Sequence, residues 1–177
     1  MSEPRYSAAA RSLHWLTVLL IIAVYMLGSQ LEHPPEGWGD TLYRLHWSVG
    51  LTILAVTVFR LANRILAGAP PPYTGLTNLE LRLSTAVHHG LYLMLFVAPL
   101  LGWLGKSAYG GAISVFGLFN MPALISQQDE ATAKTLLGVH KIAVKLLLLL
   151  IALHVAGALN HILIKKDGVF ARMWPRD

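Results

Sequence analysis

Residues 133–164 read AKTLLGVHKIAVKLLLLLIALHVAGALNHILI, and this long apolar stretch decides the fold class. A helix that crosses a membrane needs about 20 consecutive, mostly apolar residues. Three further apolar blocks, at residues 13–31, 42–66 and 81–104, meet the same requirement. The sequence therefore predicts an all-α fold, an integral membrane bundle of four helices that forms a single domain over residues 1–177.

The composition excludes an ordinary soluble globular protein. Hydrophobic residues make up 55% of the 177-residue chain and charged residues only 13%, whereas soluble domains carry about 25% charged residues. The chain also contains no cysteine. It therefore carries no disulfide, no thiolate-bound zinc, no cysteine-ligated iron–sulfur cluster and no covalently attached c-type haem.

The net charge of +5 is interpreted as a topology signal, and no nucleic-acid partner is expected. Cytoplasmic flanks of membrane helices retain Lys and Arg. The amino end, the second loop and the carboxyl tail contain most of the basic residues, whereas residues 32–40 contain three acidic residues and no Lys or Arg. This pattern predicts that both termini lie in the cytoplasm.

Residues 105–132, between the third and fourth blocks, are rich in glycine and aromatic residues. Their segment FGLFNMPALI, residues 116–125, is apolar enough to lie along the membrane interface. The sequence assigns this loop no chemical role.

Histidines carry the functional signal. Seven of the eight lie within or at the edges of the apolar blocks: His14, His46, His88, His89, His140, His154 and His161. Ionisable residues are costly inside a membrane and usually face the bundle interior. A single one is as easily explained by a hydrogen bond to water or to a carbonyl at the headgroup level, but the whole set indicates a function.

The spacing in the fourth block favours stacked haems. His140 and His154 are 14 residues apart, so on an α-helix they project from nearly one face, about 21 Å apart along the axis. His161 extends the same stripe. Imidazole is a usual axial ligand of haem iron, whereas zinc or copper would require three or four ligands at one depth.

Depth in the membrane suggests partners for these histidines. His46 and His140 lie near the non-cytoplasmic starts of their helices and are expected to meet, and Gly50 and Gly138 beside them leave room for a flat macrocycle. On the cytoplasmic side the spacing leaves His14 free to pair with either of two histidines, His154 or His161.

Arg60 lies 14 residues after His46 and so on nearly the same helix face. Arginine suits bidentate binding of carboxylates, so Arg60 is a candidate partner of a haem propionate. Arg60 is equally well explained as a basic residue whose side chain extends to the cytoplasmic interface.

The chain resembles the prokaryotic cytochrome b561 family, small four-helix di-haem cytochromes of the bacterial inner membrane. The matching motifs are, in chain order, RSLHWL (11–16), LHWSVG (45–50), HHGLYLMLFVAPLLGW (88–103), FGLFNMP (116–122), GVHK (138–141) and IALHVAGALNHILIKKDGVFARMWPR (151–176). The resemblance implies that two b-type haems are bound, one by His14 and His154 near the cytoplasm, the other by His46 and His140 near the periplasm.

The resemblance also implies a quinone site at the cytoplasmic side. It associates His161 with that site and makes His88 a second candidate, because relatives also have histidine at this position. The adjacent His89 departs from the pattern and receives no role.

The implied function is electron transfer between a periplasmic-side donor and ubiquinone, with superoxide or a periplasmic redox protein as the donor. With superoxide as donor, the activity is that of a superoxide:ubiquinone oxidoreductase. The alternative is a haem-bearing membrane anchor that relays electrons for a separate periplasmic redox enzyme. A haem-free proton-coupled transporter is disfavoured, because no span contains an internal Asp or Glu. Lipid and ubiquinone are the expected partners, and a homodimer is compatible with the sequence.

Overall fold

The computed structural model describes residues 4–174. Four long helices dominate it: α1 (Ala8–Ser29), α2 (Gly39–Leu66), α3 (Asn78–Tyr109) and α4 (Glu130–Leu159). A π-helical turn, Asn160–Lys165, continues α4, and a 3₁₀ turn follows at Phe170–Met173. All four helices are long and apolar enough to cross a membrane, which confirms the predicted four-helix membrane fold. The ends of the predicted domain, residues 1–3 and 175–177, lie outside the described residues.

The helices begin three to five residues earlier than predicted, and at α1, α3 and α4 a polar residue outside the apolar run caps the first turn. The Ser7 hydroxyl accepts a hydrogen bond from a backbone N–H of α1 at 3.2 Å. At the start of α3, Thr77 and Glu80 form a reciprocal capping box. The Asp129 carboxylate accepts a backbone N–H of α4 at 3.0 Å.

The helices pack most extensively in two pairs, α1 with α2 and α3 with α4, and α2 also packs on α3. The buried centre joins three of them through Val49 and Ile53 of α2, Leu95 of α3 and Leu147 of α4. Many large apolar side chains instead point outward, including Leu19 and several leucines of α4. Because hydrocarbon is as apolar as leucine, an outward apolar surface is what a lipid-facing bundle requires.

The end of the bundle at which the described residues begin and end is called the terminal end (residues 4–8, 66–78 and 160–174). The buried Arg172 joins its three segments, since its Nε donates to the carbonyl of Pro4 at 2.8 Å and its Nη2 to that of Pro71 at 2.7 Å. The Trp15 indole donates to the carbonyl of Met173 at 3.0 Å. These bonds hold the carboxyl-terminal segment against α1, the residues before it and the loop between α2 and α3.

The opposite end, called the hairpin end (residues 29–39 and 109–130), contains an element that the sequence analysis did not predict. Strand β1 (Ile113–Val115) pairs antiparallel with β2 (Phe119–Met121). The fully buried Ser48 of α2 fixes this hairpin, because its hydroxyl accepts the N–H of Phe116 at 2.9 Å and donates to the carbonyl of Arg44 at 2.7 Å. The turn exposes 81% of Leu118. That this segment lies along the membrane interface stays a prediction.

Candidate functional site

His46 of α2 and His140 of α4 face each other toward the hairpin end. Their ring centroids are 6.3 Å apart and the ring planes are nearly perpendicular, at 88°. The Nδ1 atom of His46 lies 3.1 Å from the carbonyl oxygen of Val24, and that of His140 lies 2.8 Å from the carbonyl oxygen of Ala98. A carbonyl only accepts hydrogen bonds, so each Nδ1 carries the proton and each Nε2 keeps a free lone pair. This is the tautomer of a metal-ligating histidine whose second nitrogen is held by the backbone.

The glycine at position 28 makes the position of the His46 ring possible. A Cβ on Gly28 would lie 2.9 Å from Cε1 of His46, closer than real Cβ contacts. At the other histidine, a Cβ on Gly102 would lie 3.5 Å from Cε1 of His140, an ordinary contact. Gly28 is therefore part of the site, and the sequence analysis missed it because it lies on a different helix from the histidine that it admits.

The two glycines that were expected to leave room for a macrocycle also lie in open surroundings. A Cβ on Gly50 or Gly138 would meet no atom within 4 Å outside its own helix. Neither glycine is therefore in close contact with another helix, and their role beside a macrocycle stays a prediction.

A second pair, His14 of α1 and His154 of α4, lies toward the terminal end. Its ring centroids are 6.2 Å apart, with an angle of 61° between the planes. Spacing had left His14 with two possible partners, and His154 is the one whose ring faces it. The helices thus bring together four of the candidate ligands as two pairs, one toward each end of the bundle.

Both pairs fit an iron atom bound between two imidazoles. A metal–imidazole nitrogen bond is about 2 Å long and the ring centre lies about 1 Å further, so two axial rings should have centroids about 6 Å apart. The separations of 6.3 and 6.2 Å match this requirement. Within residues 4–174, no cluster of three or more His, Asp or Glu side chains could hold a metal ion. The donor sets therefore suit haem better than a zinc or copper cluster.

The guanidinium of Arg60 distinguishes the terminal-end pair. Its Nη2 lies 3.3 Å from Nδ1 of His14, and the group is 5.4 Å from the ring centroid of Tyr92. A guanidinium only donates hydrogen bonds, so Nδ1 of His14 accepts and the proton of this neutral ring lies on Nε2. This tautomer is the opposite of the one at the hairpin end.

His88 of α3 lies beside the same pair. Its ring centroid is 5.1 Å from that of His154, in an edge-to-face arrangement. Its Nδ1 bonds to the carbonyl of Ser84 at 2.6 Å. The neighbouring His89, exposed like His88, makes the corresponding bond along its own helix, to Thr85, at 2.9 Å. His88 is thus a neighbour of a candidate iron ligand, whereas the structure adds no role for His89.

His161 lies in the π-helical turn that continues α4. Its Nδ1 is 2.7 Å from Oδ2 of Asp167, and both side chains are largely buried. The adjacent Lys165 forms a 2.5 Å ion pair with Glu80 of α3. The sequence analysis did not identify Asp167, because it lies beyond the last helical residue, where no periodicity links it to His161.

Known proteins are similar to this chain over nearly its whole length. The family model for prokaryotic cytochrome b561 matches residues 5–176. Cytochrome b561 homolog 2 of Escherichia coli (strain K12) is 31% identical over 174 residues, which cover 96% of this chain and 90% of the relative. The probable superoxide oxidase CybB of Yersinia pestis is 26% identical and covers 97% of each chain. Cytochrome b562 of Cereibacter sphaeroides is 28% identical and covers 97% of this chain and 96% of its own.

The match thus extends over nearly the whole chain, and the same chain folds into four membrane-length helices that carry paired histidines. The family implies that haem b is bound and that the protein carries electrons in a bacterial membrane. The chain belongs to the prokaryotic cytochrome b561 family.

Proposed function

We propose that this protein is a di-haem b electron carrier of the bacterial inner membrane that transfers electrons from a periplasmic-side donor, superoxide, to ubiquinone. One observation carries the proposal. Two pairs of histidines, at opposite levels of one bundle, have the ring separation that an iron atom between two imidazoles requires.

His46 and His140 would hold the haem toward the hairpin end. Both rings already have their Nδ1 protons directed to backbone carbonyls, so both Nε2 atoms are available to iron without a change of tautomer. Since these carbonyls belong to α1 and α3, all four helices contribute to the position of this ligand pair.

His14 and His154 would hold the second haem. Coordination through Nε2 of His14 moves its proton to Nδ1, where the ring becomes a donor and the bond from Arg60 is lost. Arg60 then requires another acceptor, and a haem propionate is a suitable one because a guanidinium binds carboxylates bidentately. This favours the propionate role for Arg60 over that of an interfacial basic residue.

Bound haem supplies the one-electron iron chemistry. The polypeptide would supply the imidazoles that hold the iron and fix their depth on rigid helices, in a bundle whose interior is filled by apolar side chains such as Val49, Ile53 and Leu95. The overall reaction balances as two superoxide ions plus one quinone plus two protons, which give two dioxygen molecules and one quinol.

Quinone reduction consumes protons, so a titratable side chain is expected where it occurs. We assign this role to His161 at the terminal end. His88, the second candidate, lies edge-on against His154 and would have to remain there to avoid disturbing a haem ligand. The basic flanks of the terminal end support a cytoplasmic location for both termini and for this quinone site.

The test is a reduced-minus-oxidised absorption spectrum of the purified protein, with haem quantified per chain. Two b-type haems are expected. One haem would contradict the di-haem proposal, and none would refute it entirely. Reconstitution in liposomes with ubiquinone then tests the activity: superoxide should reduce the quinone without any partner protein. A haem-loaded protein that needs a separate periplasmic redox subunit would instead be the anchor considered above.

A further inference from the structure

Outside the two histidine pairs, His161 and Asp167 form a short and largely buried polar contact. The Nδ1–Oδ2 distance is 2.7 Å, and only 14% and 12% of the two side chains is exposed. The chain turns back at this point: Lys166 adopts a left-handed conformation with φ of 51°, and the N–H of Asp167 donates to the carbonyl of His161 at 3.3 Å.

Both oxygens of the Asp167 carboxylate are engaged. Oδ2 faces the imidazole of His161, and Oδ1 accepts the backbone N–H of Val169 at 3.2 Å. The second bond fixes the orientation of the carboxylate independently of the histidine. Because an ionised carboxylate only accepts hydrogen bonds, Nδ1 of His161 carries a proton and Nε2 is left as the reactive nitrogen.

The lysine of the π-helical turn, Lys165, is already neutralised. Lys165 forms an ion pair with Glu80, which is also hydrogen-bonded to Thr77 in the capping box of α3. This pair ties the π-helical turn to α3. Within this turn, the imidazole of His161 is thus the group whose geometry suits proton transfer.

We propose that Asp167 is a positioning residue for quinone reduction: it fixes the tautomer and orientation of His161 so that Nε2 delivers the protons that the quinone requires. The inference rests on the proposed function and deepens it. In the protonated ring both nitrogens donate, one to Asp167 and the other to a quinone oxygen. On transfer the Nε2–H bond breaks and a quinol O–H bond forms; the electrons are those that superoxide supplies in the overall reaction, and a proton taken up from bulk solvent then reprotonates Nε2 of His161.

The experiment compares full-length, haem-loaded variants in the oxidation of their reduced haem by ubiquinone-1. Asp167→Asn should lower the limiting rate about tenfold or more, because an amide that donates to Nδ1 keeps that nitrogen unprotonated and so prevents the doubly protonated ring whose Nε2–H is transferred. The ubiquinone-1 concentration at half-maximal rate should change less than about threefold, since no contact with the quinone is removed. Asp167→Glu, which keeps an anionic acceptor, should restore most of the rate. Glu130→Gln is the control, an exposed carboxylate neutralised at the opposite end of the bundle, and should change the rate less than about twofold.

A double-mutant cycle separates positioning from a general effect. In a His161→Ala background, Asp167→Asn should slow the reaction no further, since the imidazole that it orients is absent. An undiminished effect in that background, an unchanged rate in Asp167→Asn alone, or loss of haem from that variant would overturn the positioning role. If His161→Ala itself leaves the rate unchanged, it is the proposed quinone role of His161 that fails.

Discussion

The two histidine pairs have nearly the same ring separation but are held by different groups. At the hairpin end, His46 and His140 each donate to a backbone carbonyl of another helix. At the terminal end, His14 instead meets the guanidinium of Arg60, and His88 lies against its partner. The hairpin-end pair is therefore held by backbone carbonyls, whereas the terminal-end pair contacts side chains, one of which is charged.

This difference indicates a division of roles. Backbone carbonyls on rigid helices hold the hairpin-end imidazoles in the ligand tautomer, so we expect that pair to bind the proposed haem with little rearrangement. In the same proposal, the terminal-end pair would release Arg60 to bind iron. A nearby positive charge stabilises the reduced, less positive iron, so we expect the higher reduction potential there. Electrons would then pass downhill from the hairpin end to the terminal end, toward the proposed quinone site.

Replacing a ligand at the hairpin-end pair, His46 and His140, called the preset pair below, should have the largest effect. We expect His140→Ala to reduce the haem content from about two to about one per chain, because one axial nitrogen does not replace two. The remaining haem should keep the spectrum of the terminal-end pair. His33→Ala, in the loop before α2, is the control and should retain both haems. A His140→Ala protein that keeps two haems would show that the pairing of His140 with His46 is wrong.

The charge at the terminal-end pair is tested by Arg60→Met. We expect the midpoint potential of one haem to fall by about 60 mV or more, which is a tenfold change in the oxidised-to-reduced ratio for one electron. The potential of the hairpin-end haem should stay unchanged. Arg64→Met removes a charge one turn further along α2 and should give a clearly smaller shift. A redox titration in detergent measures all three proteins, and equal shifts of both haems in Arg60→Met would contradict the assignment.

The close approach of α1 to the preset pair gives a smaller effect. Gly28→Ala places a Cβ 2.9 Å from the His46 ring, so the ring or the helix must move. Overpacking of this kind costs about 1–3 kcal/mol, and we expect the hairpin-end haem to bind about tenfold more weakly. Gly102→Ala is the matched control, because its Cβ would lie 3.5 Å from the His140 ring. Equal haem occupancy in the two variants would show that Gly28 is not a determinant of the site.

The fold was predictable because a spanning helix needs a long apolar run, and four such runs are present. The helix ends were not, since caps such as Ser7 and Asp129 are polar and lie outside those runs. The β1–β2 hairpin was not predicted, for another reason. Each of its strands has only three residues, too few for a pattern of alternation, and Ser48, a residue of α2 far away in the sequence, holds the hairpin in place.

At the candidate site, the sequence identified the histidines as candidate ligands but not the groups that surround them. His161 is the seventh residue after His154, a spacing that returns an α-helix to nearly the same face, so both were candidates for His14. The π-helical turn that begins at Asn160 breaks this periodicity. A π-helical turn arises from local packing and chain reversal, and it has no signature in a hydrophobic pattern. The same holds for Gly28, whose importance depends on how closely two helices approach.

The smallest expected effect concerns an ion pair near the preset pair, between Glu32 and Lys141, the residue after His140. The Lys141 ammonium donates to the Glu32 carboxylate at 2.7 Å and lowers the pKa of that carboxyl below its ordinary value. A carboxyl with a lowered folded-state pKa stabilises the fold above its unfolded pKa of about 4.3, and this contribution is lost as the pH falls through the folded-state value. Both side chains are exposed, so Glu32→Gln should lower the apparent Tm in detergent by no more than about 2 °C at pH 7 and low salt. The difference from the unmodified protein should disappear in acid and at high salt. A difference that persisted in acid would mean that Glu32 acts through something other than its charge.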